Sequence, residues 1–251
     1  MKTKLSYCGE LVRAHDPDRF LLSMFVPAQA REALWALFAF NHEIAKTREV
    51  VSEAQLGRIR LQWWRETLSS VYEGSAVPEH EVLKPLAAVI KAYDLPHAGL
   101  ERLINAREFD LEDEPPETLE GLLIYADHTS TPLMEAAVRI CGGDPALEPV
   151  QPVAINYALA GILRTLSRSE AGGRSMVPDE LIRTGSKMQE WARTIAEEFL
   201  FNINAQNKFL KVSNKLSGLY MRQIKALGYD LAHPRMRLDP PFKVLRLALG
   251  L

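Results

Sequence analysis

Cysteine is nearly missing from this sequence. Of 251 residues only Cys8 and Cys141 carry a thiol, and they lie far apart. Two isolated thiols exclude a disulfide framework and a Cys-based zinc site. Long apolar runs are missing too. The longest uncharged stretch, residues 149–163, is broken by Pro149 and Pro152, and falls short of the ~20 apolar residues a membrane span needs. No sign of charge dominates: 30 basic residues face 32 acidic ones, for a net charge of -2. Global electrostatics therefore gives no reason to expect nucleic acid as a partner. The first twenty residues hold no apolar core of a secretory signal and no acid-poor, Arg/Ser-rich presequence. The reading is a soluble protein of a reducing compartment. Also missing are P-loop, dinucleotide-fingerprint, H-E-x-x-H and G-x-S-x-G motifs. No alternating run is long enough for a strand, and no fixed-period repeat occurs.

What the sequence has is helical periodicity. Hydrophobic residues make up 47% of the chain, enough to bury a large core in one large domain or two small ones. Residues 34–73 read as a helical hairpin. Leu34, Leu37, Phe38, Asn41, Ile44, Ala45 and Arg48 recur on one helical face. Ser52 and Gln55 form a capping-box pattern that opens the second helix. Leu56, Ile59, Trp63 and Val71 on one side, with Leu61, Trp64 and Leu68 on the other, predict a helix packed on more than one face. The first helix ends in Asn41, His42, Lys46, Arg48 and Glu49, a polar end where a pocket would lie. Trp63 and Trp64 suit either stacking on an isoprenoid or ring, or a place in the core.

Elsewhere Asp16-Pro17 predicts an N-cap followed by proline at the first helical position. Helices are expected over residues 79–93, 97–109, 118–127, 152–168 and 213–227, with a turn at 180–183. Thr131-Pro132 is expected to open a further helix ending at Gly142-Gly143. Ser186 and Gln189 form a second capping-box pattern, for a helix through Trp191, Ile195, Phe199, Ile203 and Phe209. The acidic stretch 108–117 reads as a cation site, with Glu108 and Glu112 one turn apart, or as a solvated linker. The six histidines read as surface or internally satisfied groups. Basic and apolar residues interleave over 235–251, which suits an anionic membrane surface or a helix packed back on the bundle. The fold class is all-α, about ten helices in one layered bundle.

Several strings together resemble the squalene/phytoene synthase family: DPDRF (16–20), PAQAR (27–31), LFAFN (37–41), RLQWWRETL (60–68), YADHTSTPL (125–133), ILR (162–164) and GRSMVP (173–178). They occur in family order over about three quarters of the chain. The resemblance implies the all-α isoprenoid synthase bundle as a single domain over residues 1–251. It also implies a chemistry: two aspartate-rich helices hold magnesium, which bridges to a substrate diphosphate and neutralises it as it leaves.

At those positions this sequence departs. Anchored on Ala39-Phe40, the first aspartate motif falls on Ala45, Lys46 and Glu49. Anchored on Arg164 and Gly173-Arg174, the second falls on Thr165 and Ser169. Four of five carboxylates are gone. The expectation is a synthase fold with no metal, no cofactor and no catalytic residue, and with Asn41, His42, Ala45, Lys46, Glu49, Gln62, Arg164 and Thr165 as ligand-pocket candidates. The strings AFNHEIA (39–45), VSEAQLG (51–57), YADHTS (125–130) and GYDLAHP (228–234) resemble a branch of the family typified by mitochondrial complex I assembly factor 6. That likeness implies a role in assembling respiratory complex I, with a complex I subunit or assembly intermediate as partner; an isoprenoid or lipid carried in the old synthase pocket is a further reading that can accompany it. It implies a cytoplasmic or matrix location with peripheral inner-membrane contact. The alternative is a magnesium-dependent prenyltransferase that condenses isoprenoid diphosphates.

Overall fold

Helix formation follows the apolar periodicity along most of the chain. In the computed structural model, residues 4–112, 114–166, 176–183, 185 and 187–250 are described, and no strand occurs among them. The α-helices are α1 (Tyr7–His15), α2 (Pro17–Ser23), α3 (Ala28–Ala45), α4 (Thr47–Val50), α5 (Ala54–Tyr72), α6 (Leu83–Tyr93), α7 (His97–Ala106), α8 (Leu119–Ile140), α9 (Val150–Leu166), α10 (Asp179–Arg183), α11 (Met188–Glu197), α12 (Lys208–Ala226) and α13 (Lys243–Leu249). The chain divides into two compact units, one of residues 1–112, 132–148 and 207–209, the other of residues 113–131, 149–206 and 210–251.

In the first unit α3 is the central element. Leu34, Leu37, Ala39, Phe40 and Ile44 are fully buried, and α1, α2 and α6 pack around them. Gly9 lets α1 approach closely, because a Cβ there would stand 2.8 Å from the Trp35 ring. The Trp35 Nε1–H donates to the Ser23 Oγ at 2.8 Å inside this contact. Asp16 caps α2 as its position before Pro17 predicts, accepting from the Arg19 N–H at 3.0 Å.

Helix α5 departs from the expectation in two ways. Its N-cap is Glu53, with no side-chain capping bond, so the Ser52 pattern is not used. Only one of its faces is packed. Leu61, Trp64 and Leu68 are buried, whereas Leu56, Ile59 and Trp63 are 48%, 58% and 37% exposed. The acidic stretch stays largely in solvent, and two of its carboxylates find arginines on α5: Glu112 pairs with Arg58 at 2.7 Å and Glu108 with Arg65.

The second unit buries Leu159 and Leu163 of α9, Trp191 and Ile195 of α11, and Met221 and Ile224 of α12 in one cluster. Here the expected helix break at Thr131-Pro132 does not occur. Proline removes one N–H and one helical bond, but α8 runs on through Pro132, with Ala126, Leu133 and Ala137 buried on either side. The boundary between the units falls at this proline.

The helix expected from Ser186 to Phe209 is also different. Ser186 lies outside the described residues. Helix α11 begins at Met188, where the Lys187 N–H donates to the Glu190 Oε2 at 3.2 Å, and it stops at Glu197. The next stretch is held open by Asn156 of α9, which is buried. Its Nδ2 donates to the Leu200 carbonyl at 2.6 Å and its Oδ1 accepts from the Leu200 N–H at 3.0 Å. Both backbone groups of one loop residue are thereby satisfied inside the unit. Asn156→Ala leaves both unpaired, and a stability loss of about 2–4 kcal/mol is expected, read as a lower urea midpoint. An unchanged midpoint refutes this account of the loop.

Candidate functional site

The polar end of α3 is built around a carboxylate that sequence reasoning did not single out. Glu43 is only 5% exposed. Lys46, one turn further on, reaches back to its Oε1 at 2.6 Å, and Arg60 of α5 reaches its Oε2 at 2.8 Å. The Lys46 contact was readable from the i,i+3 spacing. The Arg60 contact, seventeen residues away, required the hairpin to close. One carboxylate between two cations leaves one positive charge in excess.

The other candidates on α3 surround this group. Asn41 is buried, and its Oδ1 accepts from Arg107 at 3.4 Å, while Arg107 pairs with Asp110 at 3.1 Å. His42 is half-buried and stacks on His15, ring centroids 4.5 Å apart with planes 18° from parallel. Burial, followed by the neighbouring His15 and Lys46, holds the His42 pKa below its ordinary 6.5. Ala45 closes α3, Lys46 forms the joint with α4, and Glu49 is exposed on that next turn.

Gln62 lies elsewhere. It is two residues from Arg60, about 200° around the helix, on the outer face of α5. It bonds Glu66 at 2.9 Å and lines an open groove of about 490 Å³ with Gln55, Ile59 and Trp63. The two tryptophans part company: Trp64 is in the core, edge-on to Phe40 at 5.4 Å, while Trp63 borders the groove.

The remaining candidates belong to the second unit. The Arg164 guanidinium lies 3.6 Å from the Tyr220 ring centroid and 3.5 Å from Asp239. Asp239 also pairs with Lys243 at 2.7 Å. The Thr165 hydroxyl donates back to its own helix, to the Gly161 and Ile162 carbonyls at 3.0 Å. Ser169, the second position where the family motif loses a carboxylate, lies outside the described residues.

This donor set does not suit magnesium, which asks for several hard oxygen ligands. Ala45 offers none, Lys46 offers a cation, and Glu43 is already taken by two cations. Among the described residues no group of three or more His, Cys, Asp or Glu lies together as a metal would require. What the α3 end can do is hold an anion beside its excess positive charge. The two cysteines add no nucleophile, since burial pushes both thiols up to about 11.

Two predictions follow from this geometry. Lys46→Met removes one of two partners of a buried carboxylate and is expected to cost roughly 1–2 kcal/mol, less than for a fully buried pair because solvent reaches the lysine. A Glu43/Lys46 double-mutant cycle showing no coupling refutes it. The second concerns acid. The folded state holds His42 neutral below its unfolded pKa, so its contribution is complete above about 6.5 and is lost as pH falls from there through the lower folded value. The urea midpoint is expected to fall on acidification from about pH 7.5 to 5.5, and to fall less in His42→Gln. An equal fall in both proteins contradicts it.

A family model described as squalene/phytoene synthase matches residues 12–203. NADH dehydrogenase (ubiquinone) complex I, assembly factor 6 of Homo sapiens is 32% identical over 136 residues, 54% of this chain and 40% of that protein. The match therefore spans less than half of the human protein's length. The Drosophila melanogaster homolog of that factor is 25% identical over 240 residues, 88% of this chain and 70% of that protein. Among solved structures, squalene synthase HpnC from Alicyclobacillus acidocaldarius aligns with a TM-score of 0.74 at 20% identity, covering 88% of this chain and 93% of the other. At that identity the likeness speaks for the fold, the all-α isoprenoid synthase fold. With the greater part of its length matched by the family model, this chain belongs to the squalene/phytoene synthase family.

Proposed function

We propose that this chain is a non-catalytic synthase-fold protein that serves the assembly of respiratory complex I. The observation that carries the loss of chemistry is Lys46. It occupies a position where the family resemblance places a metal-binding aspartate, and it donates to a buried carboxylate instead. The complex I role is supported by the likeness to proteins named for complex I assembly. The partner is then a complex I subunit or an assembly intermediate. The excess positive charge at the end of α3 suits the anionic group of a lipid or isoprenoid held without magnesium. The location is cytoplasmic, or the matrix face in a mitochondrial setting, with peripheral contact at the inner membrane. No helix among the described residues is long and apolar enough to cross a membrane.

A second reading is favoured by the structural likeness to squalene synthase and by Glu49, which stays exposed on α4. On it the chain condenses isoprenoid diphosphates with magnesium. Two measurements separate the readings. Deletion of the gene in its own host is expected to lower NADH:quinone oxidoreductase activity and to deplete complex I on native gels. Purified protein with farnesyl or geranylgeranyl diphosphate and magnesium is expected to release no diphosphate. Normal complex I together with lost carotenoid or hopanoid, or magnesium-dependent turnover abolished by Glu49→Gln, overturns the proposal in favour of the enzyme.

A further inference from the structure

The C-terminal part of the second unit touches the site described above only through Tyr220, Asp239 and Lys243, and its charge is unlike that of the rest of the chain. From Lys208 onward there are nine lysines and arginines against Asp230 and Asp239 alone, while the whole chain is slightly acidic. Helix α12 contains no acidic residue. The near-neutral total therefore conceals a basic segment and an acidic remainder, the kind of asymmetry that signals an anionic partner.

The structure turns that segment into a surface. Helix α13 lies along α12: the Lys243 Nζ is 3.3 Å from the Tyr220 hydroxyl, and a Cβ on Gly250 would come within 2.6 Å of the Lys215 Nζ. Only Leu247 of α13 is buried in this contact. The helix thus packs back on its unit through one residue and presents its other large apolar residues outward. Phe242, Leu245 and Leu249 are 78%, 55% and 63% exposed; Leu245 and Leu249, one turn apart, share a side of α13, and Phe242 precedes its first turn. Leu238 and Val244 are exposed beside them.

Cations accompany these exposed apolar residues, Lys243 and Arg246 on α13 and Lys215 and Arg222 on α12. The approach of Arg246, after partial burial, lowers the proton affinity of Arg222. Among the described residues neither has a carboxylate partner, and Asp239, just before α13, is taken by Lys243 and Arg164. Lys215 stands at the other end of α13. Two neighbouring guanidinium groups without a carboxylate partner among the described residues suit a phosphate. Exposed apolar residues flanked by such cations match a bilayer surface, where apolar groups enter the headgroup boundary and arginines meet lipid phosphates.

We propose that the α12–α13 face docks on an anionic phospholipid bilayer, with Phe242, Leu245 and Leu249 in the headgroup boundary and Arg222 and Arg246 sharing a lipid phosphate. The proposal deepens the reading of a protein that works at a membrane, and rests on it. The full-length protein is to be sedimented with vesicles of phosphatidylcholine alone and of phosphatidylcholine with about one-third phosphatidylglycerol. Binding to the anionic vesicles only, weakened by salt, is expected. Arg222→Gln with Arg246→Gln should weaken it roughly thirtyfold, the effect of two basic residues near a charged surface. Phe242→Ser with Leu245→Ser should abolish it. All four positions are at least partly exposed, and unchanged helical circular dichroism and melting confirm that the variants fold. Equal binding to both vesicles, no binding to either, or unaltered binding by the folded variants overturns the proposal. So does competition by inorganic phosphate at equal phosphate concentration, which marks a free-anion site, or a face protected only by an added complex I subunit, which marks a protein interface. None of these outcomes bears on the gene-deletion result, so a failed surface and a failed assembly role remain distinguishable.

Discussion

Glu43 sits in a helix that is otherwise almost wholly apolar where it is buried, and a buried carboxylate without partners would carry a desolvation penalty of several kcal/mol. Its two oxygens are met from two directions, by Lys46 at the end of its own helix and by Arg60 on α5. The second contact fixes how α5 is turned about its axis. With Arg60 facing α3, Trp64 meets Phe40 edge-on, and Arg58 and Arg65 face the acidic stretch after α7. Leu56, Ile59 and Trp63 are then left on the outer face. A buried ion pair contributes little net stability compared with an apolar substitute. Its effect here is on orientation, since the Arg60 contact and the burial of Leu61, Trp64 and Leu68 both require the same face of α5 to turn inward.

How far the fold is legible in the sequence depends on the range of the interactions involved. Asp16 and Pro17 act within one turn of the chain, and the cap they predict is the cap observed. Ser52 carries an equally good local pattern and is not used, because nothing in a four-residue pattern says where the α4–α5 joint is pulled by Lys46 and Arg60. Pro132 looks like a stop because a missing N–H is a local loss. The apolar residues on either side of it belong to different compact units, and burial in both keeps the helix going. The open stretch after α11 has its cause in Asn156, more than forty residues earlier. No periodicity argument reaches that far.

The candidate site divides along the same line. The substitutions at Ala45, Lys46 and Glu49 are read from register alone, once Ala39-Phe40 is taken as the anchor. Asn41 and His42 follow from polar groups on an apolar seam, and both are found with partners: Arg107 for the amide, His15 for the imidazole. Glu43 escaped notice because a glutamate among helix formers carries no signal by itself. Its burial becomes visible only when α5 is in place. Gln62 was carried by its place in a family-like string, and a string does not say which side of a helix faces inward. Arg164 belongs to a cluster completed by Asp239 and Lys243, from a part of the chain outside the resembling motifs.

A metal clamp of the family's kind holds its carboxylates apart until a dication and a diphosphate arrive, so such a site depends on its ligands for electrostatic balance. The end of α3 in this chain is balanced from within, by a cation on the same helix and a cation on the next. The free energy that a ligand would supply by neutralising close carboxylates is therefore not available, and an anion gains only from the single excess charge. The last forty-four residues are the basic part of the chain, with nine cations against two acids. A fold that retains its helices while its buried carboxylate is already paired can act through its surface, and the C-terminal surface is where basic and apolar residues have been brought together.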